Sequence, residues 1–197
     1  MRLAAREGLE GLSIGGLALE TQMSKSGVFA HFGSREELQL SVIREYHARF
    51  ERDVFAPALT APRGLPRLRA LFEAWMRQVG PAFNAGCLYI SGAIEFDDRP
   101  SPVRDALEAM VRTWQQTLAR TIAQAVAEGH LNPDTDVGQW VFEVHGLALS
   151  LHHDARFLRS PDAVHHALAG FARLLRHDAT PAGLAAAAGA PTATHLK

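Results

Sequence analysis

The strongest constraint on this chain is a short window, Leu12–Leu38, in which start and stop signals for three helices follow one another closely. Ser13 and Ser24 each precede a set of packing residues at helical spacing, so each serine is predicted to cap the start of a helix. Gly33 is predicted to end the second helix, because glycine accepts the left-handed conformation of a helix end. Two helices separated by about three or four residues form a helix-turn-helix. The packing positions are Ile14, Leu17, Ala18 and Thr21 in the first helix and Val28, Phe29 and Phe32 in the second.

The second helix of this motif has the composition of a surface that contacts a polyanion. From Met23 to Arg35 the chain carries Lys25, His31 and Arg35 and no acidic residue. The first residues of the second helix in a helix-turn-helix read the major groove of DNA. Composition alone favours an ordinary solvated face, but turn chemistry, apolar spacing and basic residues together favour DNA contact. The predicted DNA-binding residues are Ser13, Ser24, Lys25, Ser26, Gly27, Phe29, His31 and Arg35.

A third helix begins directly after the motif. Ser34 and Glu37 have the spacing of a capping box, which predicts a helix start at this point. Apolar residues continue at helical spacing to Phe55, so this helix is expected to connect the head to the rest of the chain.

This window resembles the helix-turn-helix of the TetR family of transcriptional regulators. The likeness is carried by Met23–Gly27, His31–Phe32 and Ser34–Leu38, together with Ser13 and Leu17–Ala18. It implies an all-α protein with an N-terminal helix-turn-helix head on a larger helical domain that binds an effector and dimerises. It also implies a ligand-responsive repressor of transcription. The segments Gly86–Leu88 and Glu95–Pro100 resemble one branch of these regulators.

The chain departs from the family pattern in three places. Met1 falls inside the position of the family's first helix, so this member is N-terminally short, and two turns of that helix are expected to be missing. Gly15 and Gly16 lie in the first helix of the motif, where each costs about 1 kcal/mol relative to alanine. Phe29 stands where many members have tyrosine. The residues expected to lack full cover are Leu3, Leu9, Leu12, Leu17, Val28 and Phe32.

Helical periodicity continues through most of the chain, with no strand-period segment. We predict a DNA-binding head at residues 1–46, an effector-binding and dimerisation domain at 47–177, and a disordered tail at 178–197, which is rich in alanine, glycine, proline and threonine. The predicted helices after the motif span 34–55, 68–79, 87–96, 102–128, 136–158 and 161–176, the third of them apolar on all sides.

Composition fits a globular cytoplasmic protein. Hydrophobic residues make up 47% of the 197 residues, and no apolar run approaches the roughly 20 residues of a membrane helix. The single cysteine, Cys87, excludes an internal disulfide and is compatible with a reducing compartment. The net charge of −1 is not that of a strongly basic nucleic-acid binder, so the distribution of charge matters more than its sum.

The resemblance implies a pocket for a small, mainly apolar effector. Trp75 and Trp114 lie on apolar helix faces, where most tryptophans serve packing, and Glu95 and His145 are candidates for polar contacts. Cys87 is interpreted more simply as a small buried hydrophobe, and Glu95 as a loop cap beside Asp97 and Asp98. The predicted effector-pocket residues are Trp75, Cys87, Glu95, Trp114, Phe142 and His145.

No catalytic or metal site stands out in the sequence. His145 and His152 share a helix face but are two turns apart, too far for one ion whose ligands lie about 2 Å away. We therefore predict no metal, no cofactor and no enzymatic activity, with these histidines lining a pocket or an interface.

One helix is predicted to form a subunit interface. The segment 136–158 is apolar on two faces, and small residues in it and in 161–176 permit close approach of a second helix. We predict a homodimer through these two helices, which would bind a palindromic operator in double-stranded DNA. The alternative is a helical small-molecule-binding or scaffolding protein whose shortened head no longer binds DNA. The small residues are Gly146, Ala148, Ala167 and Gly170.

Overall fold

A computed structural model describes residues 1–79 and 87–188 of the chain. Within these residues the protein is all-α, as predicted, and its one β-feature is an isolated antiparallel bridge between Leu131 and Ala179. The helices are α1 Arg2–Glu7, α2 Ile14–Thr21, α3 Lys25–Phe32, α4 Arg35–Phe50, α5 Ala56–Leu59, α6 Leu65–Val79, α7 Leu88–Phe96, α8 Pro102–Ala127, α9 Val137–His152, α10 Ala163–Asp178 and α11 Pro181–Ala188.

The described residues form two compact units. The first contains Met1–Phe50 and 87–112, and the second contains 51–79 and 113–188. This division differs from the predicted one, because α7 and the beginning of α8 belong with the head rather than with the remaining helices. Contacts between residues distant in sequence cause the difference, and helical periodicity carries no information about them.

The core of the first unit is well covered. We expected several apolar residues of the head to lack cover, yet Leu9 is 0% exposed and Leu12 is 2% exposed. Leu3 and Val28 are buried as well. The expectation was wrong for these four residues, and for Leu9 the cover comes partly from α7, where a Cβ added to Gly92 would lie 3.0 Å from a Leu9 methyl.

The core of the second unit is rich in aromatic residues. Phe72 of α6 stacks on Phe171 of α10 with ring centroids 4.0 Å apart. Trp140 of α9 meets the same Phe171 edge-on at 6.4 Å. The predicted amphipathic stripe of α6 is confirmed, since its apolar side is buried: Leu68, Leu71, Phe72, Trp75, Met76 and Val79.

The helix predicted over 34–55 is interrupted. Its α-helical part, α4, ends at Phe50 and is followed by a π-helical turn, Glu51–Phe55, and then by α5. A π-helical turn contains one extra residue in its hydrogen-bonded ring, and the apolar spacing alone does not reveal it. A second π-helical turn, His153–Phe157, follows α9.

The tail is partly ordered, contrary to prediction. Residues Pro181–Ala188 form α11, in which Gly183 packs so closely on His130 that an added Cβ would lie 2.0 Å from the His130 carbonyl oxygen. Thr180 accepts a 3.0 Å hydrogen bond from the Gly183 amide at the start of this helix. A tail rich in small residues predicts disorder, but here the small residues permit close helix packing. Residues 189–197 lie outside the described residues.

Two finer predictions on helices also need correction. The helix over 87–96 was expected to be buried on all sides, but Ile94 of α7 is 69% exposed. The last long helix, α10, begins at Ala163 rather than beside Ser160. No helix within the described ranges 1–79 and 87–188 is long and apolar enough to cross a membrane.

Candidate DNA-binding surface and effector site

The helix-turn-helix is built by the caps that the sequence predicts. The Ser13 hydroxyl accepts a 3.0 Å hydrogen bond from the Gly16 amide at the start of α2. The Ser24 hydroxyl accepts a 3.0 Å hydrogen bond from the Gly27 amide at the start of α3. These bonds satisfy amides that have no partner inside the helix, so both serines serve the fold first.

The outer face of α3 is exposed and carries a positive charge. Lys25, Ser26 and His31 are exposed, while Val28 is buried and fixes the helix against the head. Phe29 was also predicted to pack, but it is 56% exposed, so it belongs to the outer face. Lys25 and Phe29 lie one turn apart on the same side of α3, and an exposed aromatic ring beside a lysine suits contact with a duplex.

Lys25 lies beside Gly15 of the preceding helix. A Cβ added to Gly15 would lie 3.4 Å from Cε of Lys25, which is an ordinary van der Waals contact. The lysine stem therefore packs against the start of α2, and this contact does not require a glycine at position 15.

Arg35 does not have the environment predicted for it. Its Nε donates a 2.8 Å hydrogen bond to the Leu12 carbonyl, and its Nη2 donates to the Glu10 carbonyl. The same guanidinium lies 3.3 Å from the Glu10 carboxylate. Arg35 thus holds the loop between α1 and α2, and the structure does not favour its assignment as a phosphate contact.

One of the two hydrogen bonds of the predicted capping box is present at the start of α4. The Glu37 amide donates a 3.0 Å hydrogen bond to the Ser34 hydroxyl, as predicted. The Glu37 carboxylate instead contacts the guanidinium of Arg44, two turns further along the same helix. The helix start is therefore capped by one side chain rather than two.

Three of the predicted effector residues lie together in the second unit. The ring centroids of Trp75 and Trp114 are 4.7 Å apart, and His145 lies 5.4 Å from Trp75. Both tryptophans are 2% exposed. Burial lowers the pKa of His145, so its imidazole is neutral near pH 7.

The other three predicted effector residues have different surroundings. Phe142 is 74% exposed on α9. Glu95 belongs to the first unit, where its carboxylate accepts a 2.7 Å hydrogen bond from the Glu10 amide. Cys87 is fully buried in the first unit beside the Tyr46 hydroxyl, whose pKa is raised by burial and by this thiol. Helical spacing identifies a face but not the partner that covers it, so the assignment of these three residues to the effector pocket stays a prediction.

A polar contact that the sequence did not predict joins α4 to α7. Nδ1 of His47 lies 2.5 Å from the Tyr89 hydroxyl, and the Tyr46 and Tyr89 rings meet edge-on with centroids 4.9 Å apart. The two tyrosines are more than 40 residues apart in sequence. No short motif could have indicated the pair.

An apolar surface remains exposed on α9 and on the turn that follows it. Phe142 and Leu149 lie on one side of α9, exposed by 74% and 42%. A Cβ added to Gly146, between them, would meet nothing within 4 Å. Phe157 and Leu158 extend the exposed apolar residues beyond the helix. The prediction of two apolar faces on this helix is confirmed, since Trp140, Val144, Ala148 and Leu151 on the other face are buried.

Comparison with known proteins identifies the family. Residues 1–42 match the family described as bacterial regulatory proteins, tetR family, and residues 64–171 match the tetracyclin repressor-like C-terminal domain. The chain belongs to the TetR family. The first match covers the helix-turn-helix head of this TetR-family chain, and the second covers most of the helices that follow it.

Individual relatives of this TetR-family chain are distant. It is similar to the transcriptional regulator AcuR of Cereibacter sphaeroides, with 27% identity over 136 residues, 66% of this chain and 60% of AcuR. The alignment thus spans less than two thirds of that relative.

Two solved structures share the fold of this TetR-family chain. A TetR transcriptional regulator from Chloroflexus aurantiacus J-10-FL is 20% identical, with a TM-score of 0.81 over 90% of this chain and 91% of that one. A putative transcriptional regulator from Saccharomonospora viridis in complex with choline is 23% identical, with a TM-score of 0.76 over 91% and 93%.

Proposed function

We propose that this protein is a ligand-responsive, sequence-specific DNA-binding regulator that represses transcription until a small, mainly apolar effector releases it. The exposed face of α3 carries the proposal. Lys25, Ser26 and His31 are presented there on a helix whose start is capped by Ser24. Its membership of a family of bacterial regulatory proteins supports a regulatory rather than a catalytic role, in the cytoplasm.

The DNA contacts divide by chemistry. Lys25 and His31 offer hydrogen-bond donors to phosphate or to base edges, and Ser26 can donate or accept. Phe29 offers an apolar ring for the thymine methyl group. The Ser13 and Ser24 hydroxyls already accept a capping hydrogen bond, so they contact the DNA only through their remaining hydrogen-bonding capacity. Gly27 lets the backbone of α3 approach the duplex closely.

The effector site is centred on the aromatic cluster of the second unit. Nε1 of Trp75 and Nδ1 of His145 are buried, and neither has a hydrogen-bond partner among the described residues. A buried polar atom without a partner costs about 1–3 kcal/mol, so both atoms are suited to bind a polar group of a ligand. We assign the effector an apolar body with a hydrogen-bond acceptor that meets the indole N–H of Trp75.

The active species is a homodimer through α9 and α10. The exposed apolar side chains of α9 need a partner surface, and an identical surface on a second subunit provides one by two-fold symmetry. Two identical heads then recognise two half-sites about 34–36 Å apart.

Selection of binding sites from a random duplex library tests the DNA-binding function. The wild-type protein should enrich a palindrome, and Lys25→Ala should weaken binding to it by about 1–3 kcal/mol. Arg120→Ala removes an exposed cation from α8 and serves as the matched control, with unchanged affinity. Failure to enrich any sequence would contradict the proposed function.

A thermal-shift screen of small apolar acids, esters and amides tests the effector site. A compound that stabilises the wild-type protein should lose most of its effect on Trp75→Phe, which keeps an aromatic side chain, smaller than indole, and removes the N–H group. An undiminished shift on this variant would place the effector elsewhere.

A further inference from the structure

The loop between α1 and α2 lies directly against the C-terminal end of α7. Oε2 of Glu95 accepts a 2.7 Å hydrogen bond from the Glu10 amide. Gly8, with φ of +76°, comes so close that an added Cβ would lie 2.6 Å from Oε1 of Glu95. A side chain at Gly8 would therefore be strained by its backbone and would displace the carboxylate.

Two arginines hold the same loop from either side. Nη1 of Arg99, just after α7, lies 3.2 Å from Oε1 of Glu10. Arg35 of α4 lies 3.3 Å from the same oxygen and donates to the Leu12 carbonyl. We call Gly8, Glu10, Glu95 and Arg99 the loop clamp.

An apolar contact lies beneath the loop clamp. Leu9 is fully buried, and an added Cβ on Gly92 of α7 would lie 3.0 Å from Leu9 and 3.1 Å from Leu107 of α8. The Leu9 carbonyl accepts a 2.7 Å hydrogen bond from the side chain of Gln39, a buried residue of α4. The loop is thus fixed to α4, α7 and α8 around one leucine.

The opposite end of α7 is attached to the same head. Tyr89, in the first turn of α7, contacts His47 near the C-terminal end of α4. Helix α7 therefore contacts the head at both of its ends, through Tyr89 at the first turn and through Glu95 at the last. These two attachments, together with the buried Leu9, fix the orientation of the head relative to α7.

We propose that Glu95 is a positioning residue for DNA binding, which holds the recognition helix α3 at a fixed orientation to α7 through the loop between α1 and α2. This inference rests on the proposed function. Ser13, the cap of α2, follows the clamped loop directly, so a shift of the loop moves the start of the helix-turn-helix. Glu95 touches no DNA and acts through the backbone of Glu10.

The clamp matters where two heads must bind together. A palindrome is bound only when both recognition helices lie at the correct separation, so a head that is held less firmly must be ordered on binding, and that lowers affinity. A single half-site places no such demand on a second head. Loss of the clamp should therefore weaken binding to the palindrome and spare the half-site.

The test compares two duplexes on the full-length protein, both derived from the palindrome selected from a random library. One duplex contains the whole palindrome and the other a single half-site. Glu95→Ala should weaken binding to the palindrome by about tenfold and to the half-site by less than about twofold. Glu95→Gln retains an oxygen that accepts from the Glu10 amide, and it should stay within about twofold of wild type on both.

Two further variants keep the test decisive. Asp98→Asn removes a neighbouring exposed carboxylate outside the clamp and should change neither affinity. If Glu95→Ala does not fold, Arg99→Gln loosens the clamp from the exposed side and should show the same selective loss, reduced in size. Equal losses on both duplexes, or no loss on either, would overturn the positioning role. Absence of any selected palindrome would instead contradict the proposed function.

Discussion

The indole Nε1 of Trp140 donates a 2.7 Å hydrogen bond to Oδ2 of Asp178, which joins the first turn of α9 to the last residue of α10. Trp140 is 2% exposed, so its N–H group depends on this carboxylate. The Asp178 carbonyl also accepts a 2.8 Å hydrogen bond from the Asn132 amide. One residue therefore fixes both proposed interface helices and the segment that precedes them.

Replacement of Asp178 should destabilise the second unit. Asp178→Ala leaves a buried indole N–H without a partner, and the free energy of unfolding should fall by about 1–3 kcal/mol. Asp178→Asn keeps an acceptor oxygen and should cost less. Urea unfolding followed by tryptophan fluorescence measures both, and an equal loss in the two variants would show that the hydrogen bond is not the cause.

Arg35 should support the head and leave the salt dependence of DNA binding unchanged. Its guanidinium donates to the carbonyls of Leu12 and Glu10, so Arg35→Gln should lower the free energy of unfolding by about 1 kcal/mol. A residue that neutralises no phosphate should not change the slope of log K against log salt. A slope reduced by about one unit would restore the phosphate contact that the sequence predicted.

The exposed apolar side of α9 should hold the dimer together. Phe142→Asp places a charge where two subunits are proposed to meet, so the variant should sediment as a monomer at micromolar concentration. Leu184→Asp changes a residue of α11 that is 45% exposed outside the proposed interface, and it should remain a dimer. Equal association of both variants would locate the interface elsewhere.

Stability should depend on pH through His145. Burial lowers the pKa of His145 below the ordinary value of 6.5, which the unfolded chain retains. The native state then disfavours the proton, so this contribution to stability is complete above about pH 6.5 and is lost as the pH falls through the folded pKa. His145→Gln should reduce the decline in the free energy of unfolding between about pH 6.5 and 5.

Two other histidines bear on the measurement of this pH dependence, one as a second contributor and one as a control. The pKa of His152 is lowered by burial and by Arg156, so part of the decline should persist in the His145 variant. His166→Gln changes an exposed residue and should leave the decline as it is in the wild type. A decline that His145→Gln does not alter would mean that this imidazole is solvated in the native protein.

Local signals allowed much of the head to be predicted. The caps at Ser13, Ser24 and Ser34 depend on a side chain and an amide three residues apart, and all three hydrogen bonds are present. The aromatic cluster was predicted in part, because Trp75 and Trp114 lie on strongly apolar faces. The hydrogen bond of Glu95 with the Glu10 amide was not predicted, since the two residues are 85 positions apart in sequence.

Most of the helices, the three serine caps and the composition of the exposed side of α3 could be predicted from the sequence, because each depends on contacts within about two turns of chain. That α7 belongs with the head, that Arg35 holds a loop and that Phe142 faces outward became apparent in the tertiary structure. The type of a side chain, apolar or charged, indicates which kind of partner it requires. Which residue becomes that partner depends on packing between segments distant in sequence, and no local pattern predicts it.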